Sequence, residues 1–141
     1  MTPEAARFLE KARTLLEHAD TMLSVNLNDD AGRTAYLAGF HAAQAFIFEH
    51  LGKALKTHNG VQKEFLRLTK DVPRFSLKLR GFLSQSYNLK AIADYETGPG
   101  SEISAERAIE AVETGKQFVA HIAGLLSAPV PPPGSNPKAC P

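Results

Sequence analysis

The chain has 141 residues, of which 43% are hydrophobic and 22% charged, and this length and composition suit a single soluble globular domain. Its single cysteine, Cys140, excludes a disulfide framework and a cysteine-based zinc site. The first residues contain no basic head, and no apolar run in the sequence is long enough to span a bilayer. We therefore expect a cytoplasmic protein that does not contact a membrane.

The net charge of +1 conceals an uneven distribution of charge along the chain. Residues 53–90 contain nine lysines or arginines against two acidic side chains, Glu64 and Asp71, which gives a net charge of +7. Residues 1–52 and residues 91–141 each sum to −3. This basic segment predicts electrostatic attraction of an anionic partner, and the alternative is a solvated helical surface that binds nothing.

Apolar residues recur at steps of three and four in five stretches, which predicts five helices. The first begins at Thr2-Pro3, because a hydroxyl can cap a helix and proline suits the first helical position. The second runs from about Ala31 to Lys53, and polar residues within 26–30 offer caps for it. This second helix is apolar around most of its circumference, which predicts that it lies at the centre of a bundle.

The segment 56–60 predicts a turn, because its Asn-Gly pair favours positive φ. A short helix follows and stops at Val72-Pro73, since proline disfavours helix in the preceding residue. The fourth helix covers Leu79 to Ala93. The fifth begins after a cap at Ser104 and reaches Leu126.

The expected fold is therefore all-α, an antiparallel bundle of four or five helices that occupies residues 1–128. Residues 129–141 contain six prolines and almost no apolar side chain, which predicts a disordered Pro-rich tail.

Three segments in order carry a family resemblance: Arg33–Ala43, then Lys56–Val61, then Leu89–Tyr95 with the closing helix behind it. They resemble the HEPN family, whose small prokaryotic members are often encoded beside a minimal nucleotidyltransferase. The resemblance covers roughly residues 3–127 and implies a helical bundle that usually dimerises. It further implies a toxin paired with a nucleotidyltransferase-type antitoxin, because many members are such toxins. Active members are metal-independent RNases.

The sequence departs from the RNase signature of that family, which is an arginine followed after four to six residues by a histidine on a late helix. Here Lys90 stands in the corresponding place, with Asp94 and Tyr95 after it and no histidine nearby. Lysine keeps the charge of arginine but lacks its planar fork. The one formal match, Arg13 with His18, lies on the first helix with the two side chains pointing apart, and we take it as coincidence.

Three residues are catalytic candidates. Arg33 and His41 lie two turns apart on roughly one side of the second helix, and one interpretation makes them a phosphate-facing pair. The other makes His41 a buried, hydrogen-bonded histidine among apolar neighbours. His58 lies in the polar turn, where it either does acid–base work near neutral pH or is simply solvated.

The candidate residues for binding RNA, a nucleotide or an acidic protein surface are five cationic side chains of the basic segment and two residues that follow it. They are Lys56, Lys63, Arg67, Arg80, Lys90, Asp94 and Tyr95. Asp94 and Tyr95 either contact a partner or tie the helix end to a neighbouring helix. No metal-ligand spacing or glycine-rich phosphate loop is present, so we expect neither a metal nor a cofactor.

The predicted function is that of a HEPN-type binding protein in a toxin–antitoxin-like or nucleotidyltransferase-paired system, without RNase activity of its own. The alternative is a metal-independent RNase with an altered active site. The expected partners are a second copy of the chain, in a homodimer, and a nucleotidyltransferase-type protein.

Overall fold

The computed structural model describes residues 1–127, which form an all-α bundle as the sequence predicts. Its helices are α1 (Pro3–Ser24), α2 (Asn28–Leu51), α3 (His58–Thr69), α4 (Leu77–Arg80), α5 (Phe82–Tyr95) and α6 (Ala105–Leu126). The predicted tail at 129–141, the last residue of the predicted domain and Cys140 lie outside the described residues.

Helix α2 is the centre of the bundle and packs against α1, α3, α5 and α6, which confirms the prediction from its apolar circumference. Small residues let its neighbours approach closely. A Cβ added at Gly39 would lie 3.0 Å from Cδ2 of Phe82 and closer still to Cε2. On α6, a Cβ at Gly115 would come within 3.3 Å of the same ring. Phe82 is thus wedged between two glycines on two helices.

Two predicted caps are confirmed, and one is wrong. The Thr2 and Ser104 side chains accept hydrogen bonds from backbone N–H groups in the first turns of α1 and α6. Helix α2, however, has Leu27 at its N-cap position and no side-chain cap. Asp29, one of the residues predicted to offer a cap, instead accepts a hydrogen bond from the Ile103 backbone at 2.8 Å and joins the start of α2 to the segment before α6.

The predicted Asn59-Gly60 turn is wrong, because both residues belong to the first turn of α3 and neither has positive φ. The Thr57 side chain caps this helix by accepting a hydrogen bond from the Gly60 N–H at 2.9 Å. A Cβ at Gly60 would lie 2.9 Å from the capping oxygen. The glycine therefore provides space for a cap, and His58 lies on a helix.

The predicted fourth helix is divided into α4 and α5 at Gly81. Ser76 caps α4 by accepting a hydrogen bond from the Leu79 N–H. The Gly81 N–H donates to the Leu77 carbonyl at 2.9 Å and closes this short helix before α5 begins. The division is local and leaves the apolar residues of α5 facing the core.

A buried glutamine holds the loop between α2 and α3. The Gln44 Oε1 accepts a hydrogen bond from the Leu55 N–H at 3.0 Å, and its Nε2 donates to the Leu55 carbonyl. Because both polar groups of one loop residue are bonded to the central helix, the loop is fixed three residues before His58. The start of α3 is thereby placed against α2.

Candidate nucleic-acid interface

Three aromatic side chains from three helices meet beside the first turn of α3. The Tyr36 hydroxyl on α2 shares a hydrogen bond of 2.9 Å with Nδ1 of His58. The His58 ring stacks on the Tyr87 ring of α5, with 3.9 Å between centroids and 17° between planes. Tyr36 also meets Tyr87 edge-on at 5.4 Å. His58 is therefore held in a fixed orientation by α2 and α5 together.

A charged network lies next to these rings, along α5. Arg33 Nε donates to Asp94 Oδ1 at 2.6 Å, and Lys90 Nζ donates to Asp94 Oδ2 at 2.6 Å. Arg33 also bonds Asp30 through its NH1 group at 2.8 Å. One carboxylate thus joins a cation of α2 to a cation of α5.

Lys90 connects the charged network with the aromatic rings. Its Nζ lies 5.9 Å from the centroid of Tyr87 and 5.9 Å from that of Tyr95, both within the range of cation–π attraction. Tyr95 is 75% exposed and Tyr87 is 37% exposed. We call this surface the aromatic–cation face. It consists of Arg33, Tyr36, His58, Tyr87, Lys90, Asp94 and Tyr95.

The protonation of this face follows from its contacts. Burial raises the pKa of Tyr36 to about 12, so its hydroxyl keeps its proton at neutral pH. Burial lowers the pKa of His58, against a smaller opposing effect of Gln62, so the imidazole is neutral at pH 7. Hydrogen bonds from Lys90 and then Arg33 lower the pKa of Asp94. The face therefore presents two cations, an ionised carboxylate and neutral rings.

The sequence of these helices matches a known protein family. The model of the HEPN domain matches residues 5–122. This chain belongs to the HEPN domain family. A comparison with curated proteins gives no match. The family match extends from α1 into the last turns of α6 and so includes every residue of the aromatic–cation face.

In this HEPN domain, Arg33 and His41 do not form a pair. Arg33 faces α5, whereas His41 faces α1 in a pocket of about 330 Å³ that Phe8 and Phe48 line. Within residues 1–127 the buried Nδ1 of His41 has no hydrogen-bond partner. Burial, and to a lesser extent Lys11, lowers the pKa of His41. His41 is thus partly buried as one interpretation predicted, but that ring nitrogen is not hydrogen-bonded.

The other cationic side chains predicted to bind a partner differ in their contacts. Arg80 donates to the Leu66 carbonyl at 2.9 Å and to the Thr69 hydroxyl at 3.2 Å, so it joins the end of α3 to α4. Arg67 pairs with Glu64 on the same helix at 2.7 Å. Lys56 and Lys63 are exposed and make no salt bridge within residues 1–127. Of the five predicted cations, only Lys90 is in the aromatic–cation face.

Tyr87 and Tyr36 were not identified as candidate site residues from the sequence. The signal for Tyr87 was its spacing from predicted site residues. Tyr87, Lys90 and Asp94 follow one another at steps of three and four, so they line one side of α5. Tyr36 is likewise three residues after Arg33 on α2. Extending each candidate by one helical turn identifies both tyrosines.

Within 1–127 no group of three or more histidine, cysteine, aspartate or glutamate side chains converges on a possible metal position. None of the helices in this part of the chain combines the length and apolarity that crossing a membrane requires.

Proposed function

We propose that this HEPN protein binds single-stranded RNA through its aromatic–cation face, in the cytoplasm. The observation that carries the proposal is the position of Lys90 Nζ, 5.9 Å from the centroids of both Tyr87 and Tyr95. Proteins that bind single strands combine cations for the backbone with aromatic rings on which bases stack. Residues 1–128 are the proposed binding domain.

The two tyrosines support different parts of this proposal. One face of Tyr87 is already covered by His58, so the stacked pair forms a rigid edge of the site. Tyr95 is 75% exposed and stands at the end of α5, where a base can reach its ring. Stacking on a protein aromatic contributes about 1–3 kcal/mol per base and tolerates any base.

The basic segment supplies the long-range attraction. Its net charge of +7 includes exposed lysines such as Lys56 and Lys63, which flank the first turns of α3. Such a concentration of charge raises the rate of encounter with a polyanion and makes the affinity fall with salt. Lys56 is two residues before His58, so this attraction acts beside the aromatic–cation face.

The test is fluorescence anisotropy with a labelled single-stranded RNA at several salt concentrations. We expect Tyr95→Ala to weaken binding about 5- to 150-fold, because it removes one stacking platform. Tyr95→Phe is the matched control and should stay within about twofold of the unmodified protein, since it keeps the ring. Absence of RNA binding at low salt, or equal affinities of the alanine variant and the unmodified protein, would contradict the proposal.

A second candidate function is RNA cleavage, which is favoured by the placement of His58 against the Tyr87 ring, since Lys90 Nζ lies 5.9 Å from the centroid of the same ring. A neutral histidine can accept the proton of a ribose 2′-hydroxyl. However, the Tyr36 hydroxyl has no hydrogen bond within residues 1–127 other than the one to His58 Nδ1. If this buried hydroxyl donates, the imidazole proton lies on Nε2, which then donates to phosphate and cannot accept a proton. We therefore prefer binding.

An RNA-cleavage assay in the presence of a chelator separates the two functions. The binding proposal predicts no cleavage by the purified protein. Cleavage that disappears in His58→Ala and persists in His41→Ala would establish the RNase function, with His58 as the base. Cleavage unaffected by either substitution would indicate a contaminating nuclease, which a second purification would remove.

We further propose that the protein forms a homodimer and that it pairs with a nucleotidyltransferase-type protein in a toxin–antitoxin-like system. HEPN domains commonly dimerise. The apolar circumference of α2 does not add support for a dimer, because α1, α3, α5 and α6 pack against this helix within one chain. Light scattering at micromolar concentration tests the dimer, and co-purification with the product of an adjacent nucleotidyltransferase gene tests the partner.

A further inference from the structure

The Asp94 carboxylate holds a position that suits the phosphate of a ligand. Its two oxygens take one hydrogen bond each, at 2.6 Å, from the Arg33 guanidinium and from the Lys90 ammonium. Guanidinium and ammonium groups are also the usual donors to phosphate oxygens. A phosphate placed between the two helices would therefore meet the same two donors that Asp94 now meets.

We propose that Asp94 is a built-in competitor for phosphate, so that RNA phosphate binds between Arg33 and Lys90 only by displacing the Asp94 carboxylate. This inference rests on the proposed RNA binding for its ligand, and on the geometry of Asp94 for its mechanism. It assigns the phosphate position of the face to the gap between α2 and α5.

The position of Asp94 in its helix supports a displaceable carboxylate. Asp94 is the last residue but one of α5, which ends at Tyr95. The negative end of a helix dipole disfavours an acidic side chain in the last turn. A carboxylate at this position therefore does not stabilise α5 through the helix dipole, and the ionised group is held in place by its two cations. The Asp94 side chain is also 22% exposed, so a change of rotamer can move it towards solvent.

The carboxylate of Asp94 reduces the attraction of this face for phosphate. Arg33 and Lys90 are balanced by Asp30 and Asp94, so these four side chains sum to zero. With Asp94 in place, the face has little net attraction for phosphate at short range. Displacement of Asp94 breaks its hydrogen bonds to both cations at once. Only a ligand that places a phosphate in this gap replaces both of those bonds.

The decisive variant is Asp94→Asn, which keeps the shape of the side chain and removes its charge. We expect its affinity for labelled single-stranded RNA to rise about tenfold, because an anion next to the phosphate position is lost. Asp30→Asn is the matched control, since it removes the same charge from the same arginine but not from the gap. Its gain should be less than about a third of that of Asp94→Asn. A loss of affinity in Asp94→Asn, or equal gains in both variants, would overturn the inference.

Inorganic phosphate provides a probe that does not depend on RNA. In Asp94→Asn, added phosphate should shift the NMR signal of the Arg33 Nε–H group, whereas the unmodified protein should respond only at much higher phosphate. If Arg33 responds in this way but no variant binds RNA, the proposed function fails and the phosphate position stands. If RNA binds but Arg33 in Asp94→Asn ignores phosphate, the proposed function stands and this inference fails.

Discussion

Helices α2 and α5 meet in two places that differ in almost every physical respect. At the first, Gly39 lies against the buried ring of Phe82, which Gly115 of α6 confines from the other side. At the second, six residues earlier along α2, Arg33 reaches the partly exposed carboxylate of Asp94. The first contact leaves no room for change and fixes the distance between the helices. The second is charged and open to solvent, so it contributes little stability and is available for binding.

The largest effect is expected at the apolar contact. Gly39→Ala forces a Cβ into the Phe82 ring, which has little room to retreat because it packs against Phe118 of α6 with 5.1 Å between the ring centroids. Overpacking of this kind costs about 1–3 kcal/mol of the free energy of unfolding, measured by urea denaturation. Gly124→Ala on α6 is the control, since a Cβ there meets nothing within 4 Å. This control should be neutral or stabilising by up to about 1 kcal/mol, because alanine is the better helix former. If the two variants were equally stable, the close contact at Gly39 would not exist in solution.

A smaller, pH-dependent effect is expected at the charged contact. Asp94→Asn should lower the free energy of unfolding by less than about 1 kcal/mol near neutral pH, as for other solvent-accessible ion pairs. The pKa of Asp94 is lower in the folded chain than its ordinary value of 3.8, because Lys90 and Arg33 bond the carboxylate. Its contribution is therefore fully present above pH 3.8 and is lost as the pH falls through the folded-state pKa. The difference between the two proteins, followed by urea titrations from pH 7 to pH 3, should shrink on acidification. A difference that grew instead would contradict the ion-pair assignment.

The smallest effect is expected at His41, which lies on α2 but in neither contact with α5. Its buried Nδ1 has no partner within residues 1–127, so its replacement by an apolar side chain of similar size removes no hydrogen bond of that atom. His41→Leu should change the midpoint of thermal unfolding by no more than a few degrees and leave RNA affinity unchanged. His58→Leu, in contrast, should weaken RNA binding, because it removes the ring that stacks on Tyr87. Equal RNA affinities of these two variants would place the binding site away from the aromatic–cation face.

Local sequence patterns were enough to predict most of the helices, but not the conformation of the segments at 59–60 and at Gly81. Apolar spacing and the hydroxyl caps at Thr2 and Ser104 depend only on near neighbours, and both are confirmed by the structure. The Asn59-Gly60 pair predicted a turn wrongly, because the cap that Thr57 forms places both residues in the first turn of α3. The division at Gly81 is equally local, because the Gly81 N–H donates to the Leu77 carbonyl and closes α4 there, before α5 begins.

The candidate site could be predicted only in part, because its members come together through tertiary packing. His58, Lys90 and Asp94 were recognisable as residues that carry chemistry, yet nothing in the sequence states that α3 places His58 on Tyr87. Arg33 and His41 were expected on one side of α2, but eight residues at about 100° each leave them roughly 80° apart. That offset is enough for one side chain to face α5 and the other α1.

The most direct test of the account is ultraviolet crosslinking of single-stranded RNA to the protein, followed by mass spectrometry of the crosslinked peptides. The account predicts crosslinks at Tyr95 and Tyr87, the exposed rings beside Lys90. Their yield should be higher in Asp94→Asn than in the unmodified protein. Crosslinks confined to the opposite side of α2, around Phe8 and Phe48, with none on α5, would contradict the central claim that the aromatic–cation face binds RNA.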